Sequence, residues 1–139
     1  MTVGVAFEVP GNPVAKGRPR VVRVGGFTRT HTPQPTIDFE NRVRICAHQA
    51  GVRPVDGPVR LAVFAYFALP KSRHLKREPR TQEWKTTKPD LDNVVKAVKD
   101  ALNSIAYADD SQVVRLIAEK YTAAQGEPAR TIVEVGEMP

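Results

Sequence analysis

Lys88-Pro89-Asp90-Leu91-Asp92-Asn93-Val94-Val95-Lys96-Ala97-Val98-Lys99-Asp100-Ala101-Leu102-Asn103, followed by Ser104-Ile105-Ala106-Tyr107-Ala108-Asp109-Asp110, is the stretch around which this chain is organised. Val94, Val95, Val98, Ala101 and Leu102 recur at helical spacing, which predicts an amphipathic helix from about Leu91 to Asn103. Pro89 keeps Lys88 extended and cannot sit inside a helix, so Asp90 falls at the N-cap and Asp92 in the first turn. Asp92, Lys96, Lys99, Asp100 and Asn103 then line up along the polar side. Asp109-Asp110-Ser111 opens a further run, Gln112 to Tyr121, read as a strand.

Two readings of these acids stay open on the residues alone. Asp is a common N-cap, first-turn acids favour the helix dipole, and Asp-Asp-Ser is ordinary turn chemistry. Alternatively, an N-cap side chain folding back over the first turn lets Asp90 and Asp92 converge, and Asp109 or Asp110 supplies a third carboxylate. Hard cations such as Mg²⁺ take oxygen ligands and keep several waters, so two or three carboxylates suffice. Lys96, one turn from Asp92 on the same face, is placed to stabilise charge on a phosphate or to orient an attacking water.

Upstream of this acidic stretch the chain is basic. Residues 1–89 carry 16 Lys and Arg against 6 Asp and Glu, whereas residues 90–139 carry 5 against 9. A polyanion gripped by one part and processed by a carboxylate-held cation in the other accounts for that split, because phosphates must be neutralised before they approach such a site. Val3 to Val9 reads as a first strand ending at Pro10-Gly11-Asn12-Pro13. From Pro10 to Ile37 there is no acid, and Lys16, Arg18, Arg20, Arg23 and Arg29 cluster around Gly25-Gly26, the turn of a predicted hairpin. These five cations are candidate nucleic-acid contacts; the alternative is an edge hairpin whose charges only block aggregation.

Thr36 to Ala50 is predicted as the first helix, with Thr36 capping it, Asp38 and Glu40 in its first turn, and Phe39, Val43, Cys46, Ala47 and Ala50 as its buried stripe. His48 has no ligand partner at metal spacing. Val59 to Leu69 is apolar on both alternating faces and predicts a central strand covered on both sides. Pro70 to Pro89 shows no pattern and carries the further candidate nucleic-acid contacts Lys71, Arg73, Lys76, Arg77, Lys85 and Lys88, in a loop expected to be mobile alone and to order on a charged partner. Trp84, the one tryptophan, either clamps the core or offers a stacking platform to a nucleobase. Thr131 to Val135 is the last strand.

At 139 residues and 41% hydrophobic content the chain is expected to form one domain, 1–139, with a single core of two or three layers. Its formal charge of +6 suits a nucleic-acid partner. The single cysteine, Cys46, makes neither an internal disulfide nor a zinc site and reads as a packed helix residue. With no apolar run long enough to span a bilayer and no signal-peptide pattern at the start, a cytoplasmic protein without membrane attachment is expected.

The order Lys88-Pro89-Asp90-Leu91-Asp92-Asn93, Lys96, Asp100-Ala101-Leu102, Asp109-Asp110-Ser111-Gln112-Val113-Val114 resembles the signature of the RusA family of Holliday junction resolvases, found in phages, prophages and bacteria. Lys16-Gly17-Arg18-Pro19-Arg20, with Thr32-Pro33, Thr36, Phe39 and Glu40, resembles the N-terminal block of many phage-type members. The resemblance implies a small α+β domain, a mixed sheet with two main helices, that forms a homodimer and cleaves four-way, branched DNA with Mg²⁺, Mn²⁺ being a substitute. It implies Asp90, Asp92 and Asp110 as the metal-binding, catalytic aspartates and Lys96 as the catalytic lysine, with Asp109 adjacent to the site. Two rivals remain: a phage DNA-binding protein without catalysis, and a nuclease of the same chemistry that acts on flaps or forks.

Overall fold

The computed structural model describes residues 4–18 and 20–139, with the side chain of Arg20 also outside the description. Val3 and Pro19, and any DNA contact through the Arg20 side chain, therefore lie outside the described residues. Within them the chain folds as β1 (Gly4–Pro10), β2 (Arg20–Val24), β3 (Phe27–His31), α1 (Gln34–Gln49), β4 (Val59–Phe67), β5 (Glu83–Trp84), α2 (Leu91–Ala101), β6 (Val113–Thr122) and β7 (Arg130–Glu137). This is the expected α+β class.

The main sheet has the order β1-β7-β4-β6-β5, in which β4 runs parallel to β6 and antiparallel to β7. A parallel pair needs a crossover. Here the crossover is residues 68–112, which hold the basic loop, α2 and the acidic turn. One sheet face is packed by both helices, joining Phe39, Val43 and Ala47 of α1 and Val95 and Val98 of α2 to Phe7, Leu61, Val63 and Val133. β4 is central as expected, but only that face is covered: Phe64 and Tyr66, on the other, are half-buried because no helix is laid over them.

The hairpin forms where expected, β2 pairing with β3 across Gly25 and Gly26, whose φ angles of 54° and 86° are those a two-residue turn demands. It stands as a separate two-stranded sheet whose described residues are all exposed. α1 begins two residues earlier than its composition suggests. Pro33 occupies the N-cap with no side-chain bond, Pro35 fits the first turn because its missing N–H has no partner there, and Asp38 and Glu40 fall beyond that turn.

Thr36 is therefore not a cap. It is buried, its hydroxyl donating to the Ala15 carbonyl at 3.2 Å and accepting from the Gly17 N–H at 3.1 Å, so it fastens the basic N-terminal segment to the helix. That contact is close: a Cβ on Gly17 would lie 2.6 Å from Pro33 Cγ. At the other end Ala50 is the exposed C-cap and Cys46 is half-buried, so the helix buries less of its C-terminal turn than the stripe implied.

The segment between β4 and α2 is not patternless. A 3₁₀ turn covers Lys71–Arg73, and β5 pairs with the end of β6. Gln125, in the β6–β7 connection, accepts from the N–H groups of Leu75 and Arg80 at 2.9 and 3.2 Å and donates to the Leu75 carbonyl at 2.8 Å. The loop is thus cross-linked to the sheet rather than free, through a partner 45 to 50 residues away that local sequence does not reveal.

Candidate active site

α2 buries Val94, Val95, Ala97, Val98 and Ala101, so its opposite side must face away from the core. That side borders an open cavity of about 830 Å³ into which Asp92, Lys96, Lys99, Asp100 and Asp110 converge. Its floor is apolar, formed by Leu91 and Val95 of α2 and by Leu116 and Ala118 of β6.

Asp90 is the N-cap of α2, as expected, with extended φ and ψ of −67° and 139°, yet its carboxylate makes no capping bond. It is exposed and is not among the residues that border the cavity. The two neighbouring acids of the turn have different tasks. Asp109 N-caps the 3₁₀ turn Asp110–Gln112, accepting from the Ser111 N–H at 3.1 Å; hydrogen bonding from the Ser111 side chain first, and then from its backbone, holds the Asp109 carboxyl below the usual range. Gln112 completes a capping box and locks the turn to the Val55 and Gly57 carbonyls at 2.8 and 3.0 Å. Asp110, half-buried, is left to face the cavity.

No ion pair engages Asp90, Asp92 or Asp110 among the described residues. Nor do three Asp, Glu, His or Cys groups close into a ready-made metal cage among them. Asp92 and Asp110 nonetheless offer what a hard divalent cation takes in an open site: anionic oxygens that no helix cap or cation consumes. Beneath them Tyr107 is fully buried and donates its hydroxyl to the Lys99 carbonyl at 2.8 Å. Burial foremost, then the carboxylates of Asp110, Asp100 and Asp109, push its pKa far above the ordinary phenol value.

Two lysines that hold the site together were not legible in sequence. Lys120 of β6 donates to the carbonyls of Thr87 and Pro89 at 2.7 and 2.8 Å, anchoring the residues that lead into Asp90. Lys16, expected on DNA, is instead bonded to Glu40 at 2.7 Å and to Asp100 at 3.1 Å, while its backbone N–H donates to the Asn93 carbonyl at 2.8 Å. The only sequence signal for Asp100 was its place on the polar side of α2, and for Lys120 an interruption in an apolar strand.

The other candidate DNA contacts are distributed outside the cavity. Arg18, Arg23 and Arg29 are exposed on the N-terminal segment and hairpin, and Lys71, Lys76, Arg77 and Lys88 are exposed along the crossover loop. Arg73 is paired with Glu83 at 2.7 Å, and Lys85 is half-buried.

Fold and cavity together define a small basic α+β protein with an acid-lined, lysine-bearing pocket on a crossover helix, an arrangement suited to phosphodiester chemistry. A family model described as Endodeoxyribonuclease RusA matches residues 10–136, and the chain belongs to that family of nucleases. It is 39% identical to the uncharacterized protein YqaN of Bacillus subtilis (strain 168), over 94% of this chain and 96% of that one. It is 35% identical to the crossover junction endodeoxyribonuclease rusA of Lactococcus phage r1t, over 95% of each chain. No helix among the described residues is long and apolar enough to cross a membrane.

Proposed function

We propose that this endodeoxyribonuclease resolves Holliday junctions by Mg²⁺-dependent phosphodiester hydrolysis, acting as a homodimer in DNA recombination and repair. The observation that carries the reading is the convergence of Asp92, Asp110 and Lys96 on one cavity in a chain of the RusA family. The name of the phage relative supports a crossover junction as the substrate.

In this reading Asp92 and Asp110 would hold the cation, together with Asp90 at the helix mouth. The cation, Mg²⁺ or Mn²⁺ in its place, supplies charge to polarise the phosphate and to lower the pKa of a water. Lys96 contributes a fixed positive charge beside the scissile phosphate and stabilises the anion as charge builds on its oxygens. Leu91, Val95, Leu116 and Ala118 exclude bulk water from one side of the reacting group. Exposed Arg18, Arg23, Arg29, Lys71, Lys76, Arg77 and Lys88 hold the DNA backbone.

The outer edge of β6 supports the dimer. β5 pairs only with Tyr121 and Thr122, so the rest of that edge has no strand partner among the described residues, and Val114, Leu116 and Ile117 upon it are 62, 48 and 52% exposed. Long apolar edges invite a further strand, and a second copy joined there about a two-fold axis would present two sites to two opposed DNA strands.

The test is a cleavage assay on a four-way junction, a flap and a linear duplex, each with Mg²⁺ or EDTA. Symmetric nicking of the junction alone, with Mg²⁺, is expected. Preferential cleavage of the flap would reassign the substrate, and binding without cleavage would favour a DNA-binding protein that has lost catalysis.

A further inference from the structure

Four side chains cross the open sheet face in one row, each on a different strand. Trp84 of β5 is paired in register with Tyr121 of β6, Tyr121 with Tyr66 of β4, and Tyr66 with Arg130 of β7. The indole stacks on Tyr121 with centroids 4.6 Å apart and planes 21° from parallel, Tyr121 stacks on Tyr66 at 5.0 Å and 15°, and the Arg130 guanidinium lies 4.1 Å above the Tyr66 ring. The Tyr121 hydroxyl donates to Glu119 at 2.8 Å, which fixes the middle ring. The row therefore ends rigidly, and its terminal plate, Trp84, is 64% exposed.

Beside that plate lies a second cavity, of about 350 Å³, bordered by Trp84, Arg73, Lys85, Thr86, Thr87 and Thr122. None of Asp90, Asp92 and Asp110 lines it. Glu83 also borders it, but its carboxylate is engaged by Arg73 at 2.7 Å and Arg80 at 3.7 Å. Lys85 has no carboxylate partner among the described residues. Its ammonium donates to the Thr87 hydroxyl at 2.9 Å and sits 5.2 Å from the Phe67 ring centroid. Burial first, then the charges of Lys120 and Arg73, lower its pKa, which marks a place short of negative charge.

We infer that Trp84 and the adjoining cavity form a subsite for one unpaired nucleotide of the DNA substrate, the base stacking on the free face of the indole and a flanking phosphate taken by Lys85. Every base has a π face, so the stack is indifferent to sequence, and the guanidinium at the far end of the row polarises it. The threonine hydroxyls give the phosphate neutral donors that Arg73, tied to Glu83, does not. The subsite selects DNA with bases out of the stack, such as the crossover of a junction, over continuous duplex. It rests on the DNA-processing function proposed above.

Because Trp84 is the only tryptophan, the emission of the full-length protein reports this position alone. In EDTA, single-stranded oligothymidylate should quench that emission and shield it from acrylamide, while a linear duplex of equal length, bound by fluorescence anisotropy, should leave it nearly unchanged. Trp84→Ala should weaken oligothymidylate about 10-fold more than duplex, and Lys85→Gln should shift the same ratio in the same direction. Emission that does not respond to bound oligothymidylate, or two variants that weaken both DNAs equally, would overturn the subsite while leaving DNA binding intact. Absence of any anisotropy change with either DNA would instead remove the DNA-processing function and the subsite with it.

Discussion

Lys120 reaches from β6 to the Pro89 carbonyl at 2.8 Å, so the residue immediately before Asp90 is fastened to the sheet and not merely to its own helix. The same ammonium takes the Thr87 carbonyl at 2.7 Å. Lys120→Met keeps the aliphatic stem and removes both bonds. Small misplacements of reacting groups are costly, and a fall in single-turnover cleavage of about 10- to 100-fold is expected, with a smaller change in junction affinity. An unchanged single-turnover rate would show that Asp90 does not need this anchor.

Asp109 and Asp110 separate by what each carboxylate is doing. Asn caps a helix start about as well as Asp, so Asp109→Asn should retain both melting temperature and cleavage. Asp110→Asn should retain the melting temperature and lose Mg²⁺-dependent cleavage by at least about 10²-fold, the scale on which a missing electrostatic partner is felt. The reverse pattern would reassign the ligand to Asp109.

The Lys16 bridge between Glu40 and Asp100 is structural, and its pH dependence can be signed. Burial alone would lower the Lys16 pKa, but hydrogen bonds to Glu40 and Asp100 outweigh it and the net shift is upward. A group whose folded pKa is raised stabilises fully below its unfolded value, and that contribution is lost as pH rises through the folded one. Lys16→Met leaves Glu40, a buried side chain, without its shortest partner and should cost about 1–3 kcal/mol at neutral pH. The gap between wild type and variant should narrow across the alkaline range of lysine titration, as read from melting temperature against pH. A constant gap would mean that packing and not charge is responsible.

Arg18, Arg23 and Arg29 are exposed and unpaired by any carboxylate among the described residues. Replacing each by Ala should weaken DNA binding whatever its sequence and reduce the slope of log affinity against log salt by about 0.9 per lost phosphate contact. A slope that stays the same in all three variants would remove the N-terminal segment and hairpin from the interface.

How far the sequence could be read follows the range of the forces involved. α2, with its period of apolar residues and its proline entrance, and the Gly25-Gly26 turn are set by neighbours in the chain, and both form where expected. The start of α1 misled because Thr36, an apparent cap, spends its hydroxyl on Ala15 and Gly17, about twenty residues upstream. The crossover loop looked free because Gln125, which ties it down, lies beyond β6. Among the site residues, Asp92 and Lys96 share a helix face by spacing alone. The placing of Asp110 depends on Asp109 and Gln112 closing a turn, which similar residues in a row do not disclose.

The parallel pairing of β4 with β6 also ties assembly of the proposed site to a contact between distant parts of the chain. Every acid and lysine proposed for the chemistry lies in residues 68–112, between two strands that must meet, and β4 is flanked on its other side by β7, close to the C-terminal end. Such non-local closure comes late in folding. The whole proposed catalytic set is thus carried in a connection that closes only when β4 and β6 pair.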